Sequence, residues 1–108
     1  MLGYLTGSQR KPGDKEYPRP GLTISGAITM AVDEVNVMFH DRNMSHRLSF
    51  IVAETYGDEE ISIREVSNLW KSGVHAYIGP QETCIHEGRM AAAFNLPMIS
   101  YVSCNDLL

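Results

Sequence analysis

The alternation of apolar and polar stretches along the chain predicts four strands and three helices that follow one another in turn. Four short apolar runs, bounded by polar or turn-forming residues, are typical of strands in a buried parallel sheet. The predicted strands are residues 2–6, 48–53, 76–78 and 98–102. The predicted helices are residues 21–38, a segment from the turn at 55–60 to residue 71, and a segment from the turn at 79–80 to about residue 94.

The first predicted helix has a regular apolar period of three and four residues, which is typical of a helix with one face on a sheet. The apolar positions are Ile24, Ile28, Ala31, Val35 and Met38. The polar positions on the opposite side are Ser25, Thr29, Asp33 and Asn36. The second helix is marked by Ile63, Val66, Leu69 and Trp70 on its inner face. We therefore expect the apolar residues of both helices to lie against the sheet.

The stretch around which the chain is organised is residues 76–103, which read as one complete βαβ unit. Its first strand stops at Gly79-Pro80, and Glu82 and Thr83 are candidates for capping the helix that follows. Asn95 is expected to end that helix in the left-handed conformation. Tyr77 and Trp70 are expected to be core aromatics.

Together these elements predict a three-layer α/β/α fold with a parallel sheet and right-handed crossovers. The expected strand order is 2-1-3-4, which places the switch point between the first and third strands. Ligands of such sheets bind beyond the carboxyl ends of the strands. The candidate positions are residues 6–8, Thr55, residues 79–83 and residues 101–103.

Composition narrows the class of protein and of partner. With 108 residues and 44% hydrophobic content, the chain suits one domain with a sizeable core. A net charge of -4 argues against nucleic acid or an anionic membrane surface as a partner. No apolar run approaches the ~18 residues of a membrane span. A strand directly after Met1 is expected either for a cytosolic protein or for a fragment whose leader lies upstream.

Residues 9–20 form a polar connection with three prolines and six charged residues. This segment is longer than the ~2–6 residues usual between a strand and a helix. Two interpretations stay open, a functional surface loop and a tolerated insertion.

Signatures of common enzyme classes are missing from the sequence. Gly3, Gly7 and Gly13 supply neither a dinucleotide-binding nor a phosphate-binding glycine pattern. There is no G-x-S-x-G nucleophile motif. Cys84, His86 and Cys104 lack the spacing of a zinc site, so we expect no metal and no cofactor. We assign no catalytic residue.

Several segments resemble the first lobe of the receptor ligand-binding region, a type I periplasmic-binding-protein-like fold found in natriuretic peptide receptors, metabotropic receptors and bacterial amino-acid-binding proteins. The similar segments are residues 3–6, 21–27, 32–36, 77–80 and 95–101. Residues 81–84 after the Gly-Pro turn, with a second cysteine just past residue 101, look most like the extracellular domain of insect receptor-type guanylate cyclases.

The resemblance implies that residues 1–108 are the N-terminal part of a ligand-binding region, a truncated first lobe. It implies an extracellular ligand, either a peptide or a small molecule, a homodimeric parent, and a place on the extracellular side of the plasma membrane in a single-pass receptor. The membrane helix is absent from this chain. Guanylate cyclase activity, a phosphorus-oxygen lyase reaction that makes cyclic GMP, would belong to the full-length parent.

Carried over by position, the resemblance places ligand contacts after the first, third and fourth strands. The residues are Ser8, Gly79, Pro80, Gln81, Glu82, Thr83, Tyr101 and Ser103. Natriuretic peptide receptors bind chloride at the turn after the third strand, beside a cysteine. Cys84 lies two positions further along than that pattern, so the resemblance does not carry chloride over.

Two other functional hypotheses stay open. One is a soluble or periplasmic-type binding-protein fragment for an amino-acid-like ligand, and the other is a cytosolic flavodoxin-like enzyme domain. The sequence beyond Leu108 would discriminate among them.

A disulfide between Cys84 and Cys104 is expected if the third and fourth strands are parallel neighbours. Both cysteines then leave the same end of the sheet, on strands ~4.8 Å apart, within reach of a disulfide. Two free buried thiols in a cytosolic protein are the alternative.

The tripeptide Asn43-Met44-Ser45 is a sequon for N-glycosylation in a polar connection, where a glycan can lie in solvent. We predict a glycan on Asn43 in material from an insect secretory host. Intact-mass measurement before and after glycosidase treatment checks it, and the Ser45→Ala variant should lose the added mass. An unmodified Asn43 in that material would contradict the prediction.

Overall fold

The computed structural model describes residues 1–80 and 84–100, except for the side chains of residues 23 and 24. Four strands and three helices alternate along the described chain, as the sequence predicts. Their bounds are β1 Leu2–Thr6, α1 Gly21–Asp41, β2 Phe50–Glu54, α2 Glu59–Lys71, β3 Ala76–Ile78, α3 Ile85–Ala93 and β4 Met98–Ile99. The α/β class is therefore confirmed.

The four strands form one parallel sheet in the order β2-β1-β3-β4, which confirms the predicted order. β1 lies between β2 and β3, so its residues pair on both sides. Leu5 is opposite Ala53 of β2, and Tyr4 is opposite Ile78 of β3. Since all strands run the same way, the carboxyl ends of β1, β2 and β3 lie at one edge of the sheet.

Helices cover both faces of the sheet, because successive strand residues point to opposite sides. Leu5 and Tyr77 belong to a core cluster with the buried residues of α2 and α3. Tyr4 belongs to a second cluster, with Ile28 and Val32 of α1. The fold thus has α1 on one face and α2 and α3 on the other, the predicted three layers. No helix in the described part of the chain has the length and apolar character needed to cross a membrane.

The α2 helix begins and ends with local signals that the sequence contains. The carboxylate of Asp58 at the N-cap accepts a hydrogen bond from the Ile61 backbone N–H at 3.2 Å. Gly73 follows the helix with a φ of +86°, a conformation that favours glycine. Val66 and Leu69 are buried, as predicted.

The two aromatic predictions have different outcomes. Tyr77 is fully buried, its hydroxyl donates to the Val66 carbonyl at 2.8 Å, and burial raises the pKa of that hydroxyl. Trp70 is 46% exposed, so its assignment to the core was wrong. Its ring instead stacks on Phe94 with centroids 4.4 Å apart, which covers one ring face while the other meets solvent.

Several boundaries also differ from the prediction, since α1 extends to Asp41 and β2 is Phe50–Glu54. The third helix starts at Ile85, so Cys84 holds the N-cap position that we expected Glu82 or Thr83 to hold. Those two residues lie outside the described part of the chain. β4 ends at Ile99, and Ser100 is not in the strand. Asn95 has a φ of +60°, which confirms the left-handed helix end.

The face of α1 that packs on the sheet was assigned correctly only in part, since Ile28 is buried against Tyr4 as predicted, beside Val32, which the prediction omitted. Ala31 and Met38 are exposed, although we expected both against the sheet. Ser25 and Asn36, predicted to face solvent, instead form hydrogen bonds with Tyr4 of β1 and with Leu48 just before β2. The Ser25 hydroxyl lies 3.0 Å from the Tyr4 hydroxyl, and a polar group that finds such a partner can be buried at little cost.

Asn36 joins α1 to the chain just before β2 through both ends of its amide. Its Nδ2 donates to the Leu48 carbonyl at 2.9 Å, and its Oδ1 accepts from the Leu48 N–H at 2.7 Å. The packed stripe therefore includes polar residues, and hydrophobic periodicity alone could not assign it.

We predict that Asn36→Ala lowers the free energy of unfolding by about 1–3 kcal/mol, because it leaves both Leu48 backbone groups without their side-chain partner. Asp33→Ala is the matched control, since Asp33 is an exposed residue of the same helix with similar helix propensity. Urea denaturation of both variants measures the difference. Equal effects of the two substitutions would contradict the role assigned to Asn36.

Candidate functional site

The edge formed by the carboxyl ends of the strands is the candidate site. Six predicted positions lie there in the described chain, namely residues 6–8, Thr55, Gly79 and Pro80. The other predicted ligand contacts lie outside the described residues, and their roles stay predictions. They are Gln81, Glu82, Thr83, Tyr101 and Ser103.

Thr55 has a structural role at this edge. Its backbone N–H donates to the Thr6 carbonyl at 2.9 Å, and its hydroxyl oxygen accepts from the Gly57 N–H at 3.3 Å. Thr6 and Thr55 are both buried. These bonds fix the ends of β1 and β2 to each other and to the turn before α2.

Glu54, the last residue of β2, is the residue at this edge that the sequence analysis missed. Its carboxylate accepts from the Ser8 N–H at 2.9 Å and from the Tyr56 N–H at 3.0 Å. The Ser8 hydroxyl also donates to it. A carboxylate directly after an apolar strand run was the available signal, and we had ended that strand one residue earlier.

The turn after β3 is held by backbone contacts on both sides. Gly79 has a φ of +89°, and a Cβ at that position would lie 2.2 Å from the Leu5 carbonyl oxygen, so only glycine fits. Its N–H donates to the Ile99 carbonyl at 2.8 Å. The Ser100 hydroxyl donates to the Pro80 carbonyl at 2.9 Å. The turn is therefore fixed in position against the end of β4.

Residues 9–20, the long polar connection, lie across the ends of β1 and β2. The Arg19 Nε donates to the Ser8 carbonyl at 2.6 Å, and the Arg10 Nε donates to the Tyr17 carbonyl at 2.8 Å. Lys11 forms an ion pair with Asp58 at the start of α2. We call this segment the strap. Its contacts show an anchored segment at the candidate site.

Two carboxylates hold the strap in shape. The carboxylate of Asp14 accepts from the backbone N–H groups of Glu16 and Tyr17, and these bonds lower its pKa. The hydrogen bond from Lys11 lowers the pKa of Asp58, with a further contribution from the Ile61 N–H. Both carboxylates are thus stabilised in the charged form.

The start of α3 combines a buried cysteine with a buried carboxylate. Cys84 is buried and disulfide-bonded, and Cys104 lies outside the described residues. Glu87 is fully buried and accepts a hydrogen bond from the Ser62 hydroxyl at 2.8 Å. His86 pairs with Glu59 at the surface. Within residues 1–80 and 84–100, no three His, Cys, Asp or Glu side chains are grouped as a metal site would require.

Comparisons with known proteins bear on the chain as a whole. Residues 23–108 match the family model described as the receptor family ligand binding region. The receptor-type guanylate cyclase Gyc76C of Drosophila melanogaster is 35% identical over 102 residues, which cover 93% of this chain and 6% of that protein. The speract receptor of Strongylocentrotus purpuratus is 37% identical over 88 residues, 80% of this chain and 8% of that protein.

The resact receptor of Arbacia punctulata is 33% identical over 88 residues, again 80% of this chain and 8% of that protein. The chain therefore spans less than a tenth of the length of these relatives. No solved structure matches the chain.

We predict that Cys84 is disulfide-bonded to Cys104. Closing a loop of 20 residues (104 − 84) would stabilise the fold by roughly 3 kcal/mol on the chain-entropy model. Mass mapping of unreduced, alkylated protein should find one linked peptide pair. Two alkylated thiols in protein from an oxidising host would contradict the pairing, and a Cys104→Ser variant provides the unlinked control.

We predict that the Lys11–Asp58 pair makes stability pH-dependent in acid. Because the folded-state pKa of Asp58 is depressed, its contribution is present above the ordinary value of 3.8 and is lost as the pH falls through the lower folded value. Asp58→Asn keeps an N-cap side chain but removes the charge. Wild type should be more stable than this variant at pH 6, by at most about 1 kcal/mol for a partly exposed pair, and the gap should close in strong acid.

Urea midpoints measured at pH 6 and at pH 2.5 check this prediction. Glu60→Gln is the control, because Glu60 is an exposed carboxylate in the same helical turn. A gap between wild type and Asp58→Asn that is unchanged in acid would show that the ion pair is not its source.

Proposed function

This chain belongs to the receptor family ligand binding region, and from that membership we propose that it forms part of the extracellular ligand-binding region of a receptor-type guanylate cyclase. A receptor ligand-binding region implies an extracellular ligand. The observation that carries the proposal is the 35% identity, over nearly the whole chain, to a protein named a receptor-type guanylate cyclase. Two proteins named as receptors match at similar identity.

In this proposal the edge at the carboxyl ends of the strands is a rigid platform for the ligand. The Glu54 carboxylate fixes Ser8, and backbone hydrogen bonds fix the Gly79-Pro80 turn. A platform that is already ordered loses little conformational entropy when a ligand binds, which favours affinity. The predicted contacts at residues 81–83, Tyr101 and Ser103 would extend this platform.

The parent would lie in the plasma membrane with this region outside, and ligand binding would raise cyclic GMP through a cyclase domain elsewhere in the parent. A homodimeric parent is part of the proposal. The exposed apolar side chains of Met30 and Val37, which line one shallow depression on α1, support association, since a contiguous apolar surface on a helix is typical of an interface.

The complete transcript tests the proposal. We expect a membrane span after the ligand-binding region, followed by a kinase-like and a cyclase domain. Cells that express the full-length protein should contain more cyclic GMP than cells that express a version truncated after the span. An amino-terminal epitope should be stained on intact, unpermeabilised cells. A second lobe followed directly by a stop codon would contradict the proposal and would favour a soluble binding protein.

A further inference from the structure

A groove of about 290 Å³ lies between α1 and the β1–β2 half of the sheet. It reaches the carboxyl edge, where Ser8 is one of its lining residues. β2 is the outer strand of the sheet, and Val52 in the groove is 54% exposed. The groove is therefore open to solvent beside the candidate site. Among the predicted positions that the structure describes, Thr6 and Ser8 line it.

The walls of the groove are mainly apolar. Phe50 and Val52 contribute from β2, and Leu22 contributes from the first turn of α1. Leu22 is also exposed to solvent. Covering such side chains with an apolar group is favourable in proportion to the area removed from water. The walls thus suit an aromatic or branched aliphatic body.

The hydroxyl groups on the floor of the groove are engaged with one another. The Ser25 hydroxyl lies 3.0 Å from the Tyr4 hydroxyl and 3.4 Å from the Thr6 hydroxyl. They tolerate an apolar ligand, because their hydrogen bonds do not depend on it.

Ser8 differs from these hydroxyls because its hydrogen is donated to the carboxylate of Glu54. Its backbone N–H donates to the same carboxylate, and its carbonyl accepts from Arg19. What the Ser8 hydroxyl can still offer is its oxygen lone pairs. A ligand group that meets this oxygen must therefore be a hydrogen-bond donor.

The Glu54 carboxylate, which lies beside Ser8 and not among the lining residues of the groove, favours a cationic donor. Glu54 lies two residues after Val52 on β2, so it faces the same side of the sheet as the groove. Within the described residues Glu54 forms no ion pair. Arg19 is the competing positive charge, and its Nε is directed to the Ser8 carbonyl rather than to Glu54.

We propose that this groove binds an apolar body that carries a protonated primary amine. The amine would donate to the Ser8 hydroxyl oxygen beside Glu54, and the apolar body would lie along Phe50 and Val52. This inference rests on the proposed function and deepens it by naming a ligand class. The same chemistry is present in a free arylalkylamine and in the amino-terminal residue of a peptide.

The test measures binding to the longest natural chain that carries this sequence, whether it is membrane-bound or secreted. The probes are tritiated 2-phenylethylamine, with unlabelled 2-phenylethanol and 3-phenylpropionate as competitors. We expect the amine to bind about tenfold more tightly than the alcohol, as for a charge-assisted compared with a neutral hydrogen bond, and the carboxylate to bind most weakly. Equal affinity for amine and alcohol, or preference for the carboxylate, would overturn the proposal.

Two variants locate the binding site. Glu54→Gln should reduce affinity for the amine about tenfold and leave affinity for the alcohol unchanged. Val52→Arg should abolish binding of the amine, since it places bulk and positive charge in the groove. Met44→Arg is the matched control, an exposed apolar residue outside the groove lining, and should bind normally.

A melting curve shows whether Glu54→Gln folds. If it does not, amine binding by Val52→Arg compared with Met44→Arg tests the proposed site. Unchanged amine binding in Val52→Arg would overturn the proposal. A tripeptide with a free amino-terminal phenylalanine, compared with its N-acetylated form, separates the two sources of ligand. Stronger binding of the free tripeptide than of 2-phenylethylamine would indicate a peptide, and weaker binding would indicate a free amine.

The assay measures binding and not cyclic GMP, so it is independent of the cyclase test. If the parent has a cyclase domain but does not bind the amine in preference to the alcohol, the proposed groove is rejected and the proposed function stands. A binding amine on a parent that lacks a cyclase domain would reject the proposed function alone.

Discussion

The pairing of β1 with a parallel strand on each side is the interaction on which the rest of the structure depends. β1 is an inner strand between β2 and β3, and its residues enter both core clusters, Tyr4 on the α1 face and Leu5 on the other. Since its register brings the ends of three strands to one edge, it also decides which loops meet there. A slip of one residue would exchange the two faces and expose both cores.

At that edge the polar groups are satisfied locally, before any ligand is considered. The Glu54 carboxylate accepts hydrogen bonds from the backbone N–H groups of Ser8 and Tyr56, and Arg19 of the strap donates a hydrogen bond to the Ser8 carbonyl. The long connection between β1 and α1 is therefore held by one ion pair and by hydrogen bonds, together with the Tyr17 ring, which packs against Gly57. Such contacts fix geometry more than they add stability, because exposed ion pairs contribute little.

The sequence was sufficient for the strands and their order, because short apolar runs between turn residues have few arrangements in a parallel sheet. It was insufficient for the orientation of α1. Ser25 and Asn36 are polar but bond to Tyr4 and Leu48, which a hydrophobic pattern cannot anticipate. The prediction that Trp70 is buried in the core was wrong for the opposite reason, since an aromatic ring can stack on a neighbour with one face and remain partly exposed to water. Glu54 was missed because its role depends on Ser8, 46 residues earlier in the chain.

The stacked pair of Trp70 and Phe94 gives this chain an internal optical reporter. Trp70 is the only tryptophan in the sequence, and it joins α2 to the end of α3 on the face of the sheet that does not hold the groove. Because one indole face lies on Phe94 and the other in solvent, its emission depends on how these two helices are packed. Light emitted by a single side chain thus distinguishes a rearrangement of the α2–α3 layer from events on the α1 side.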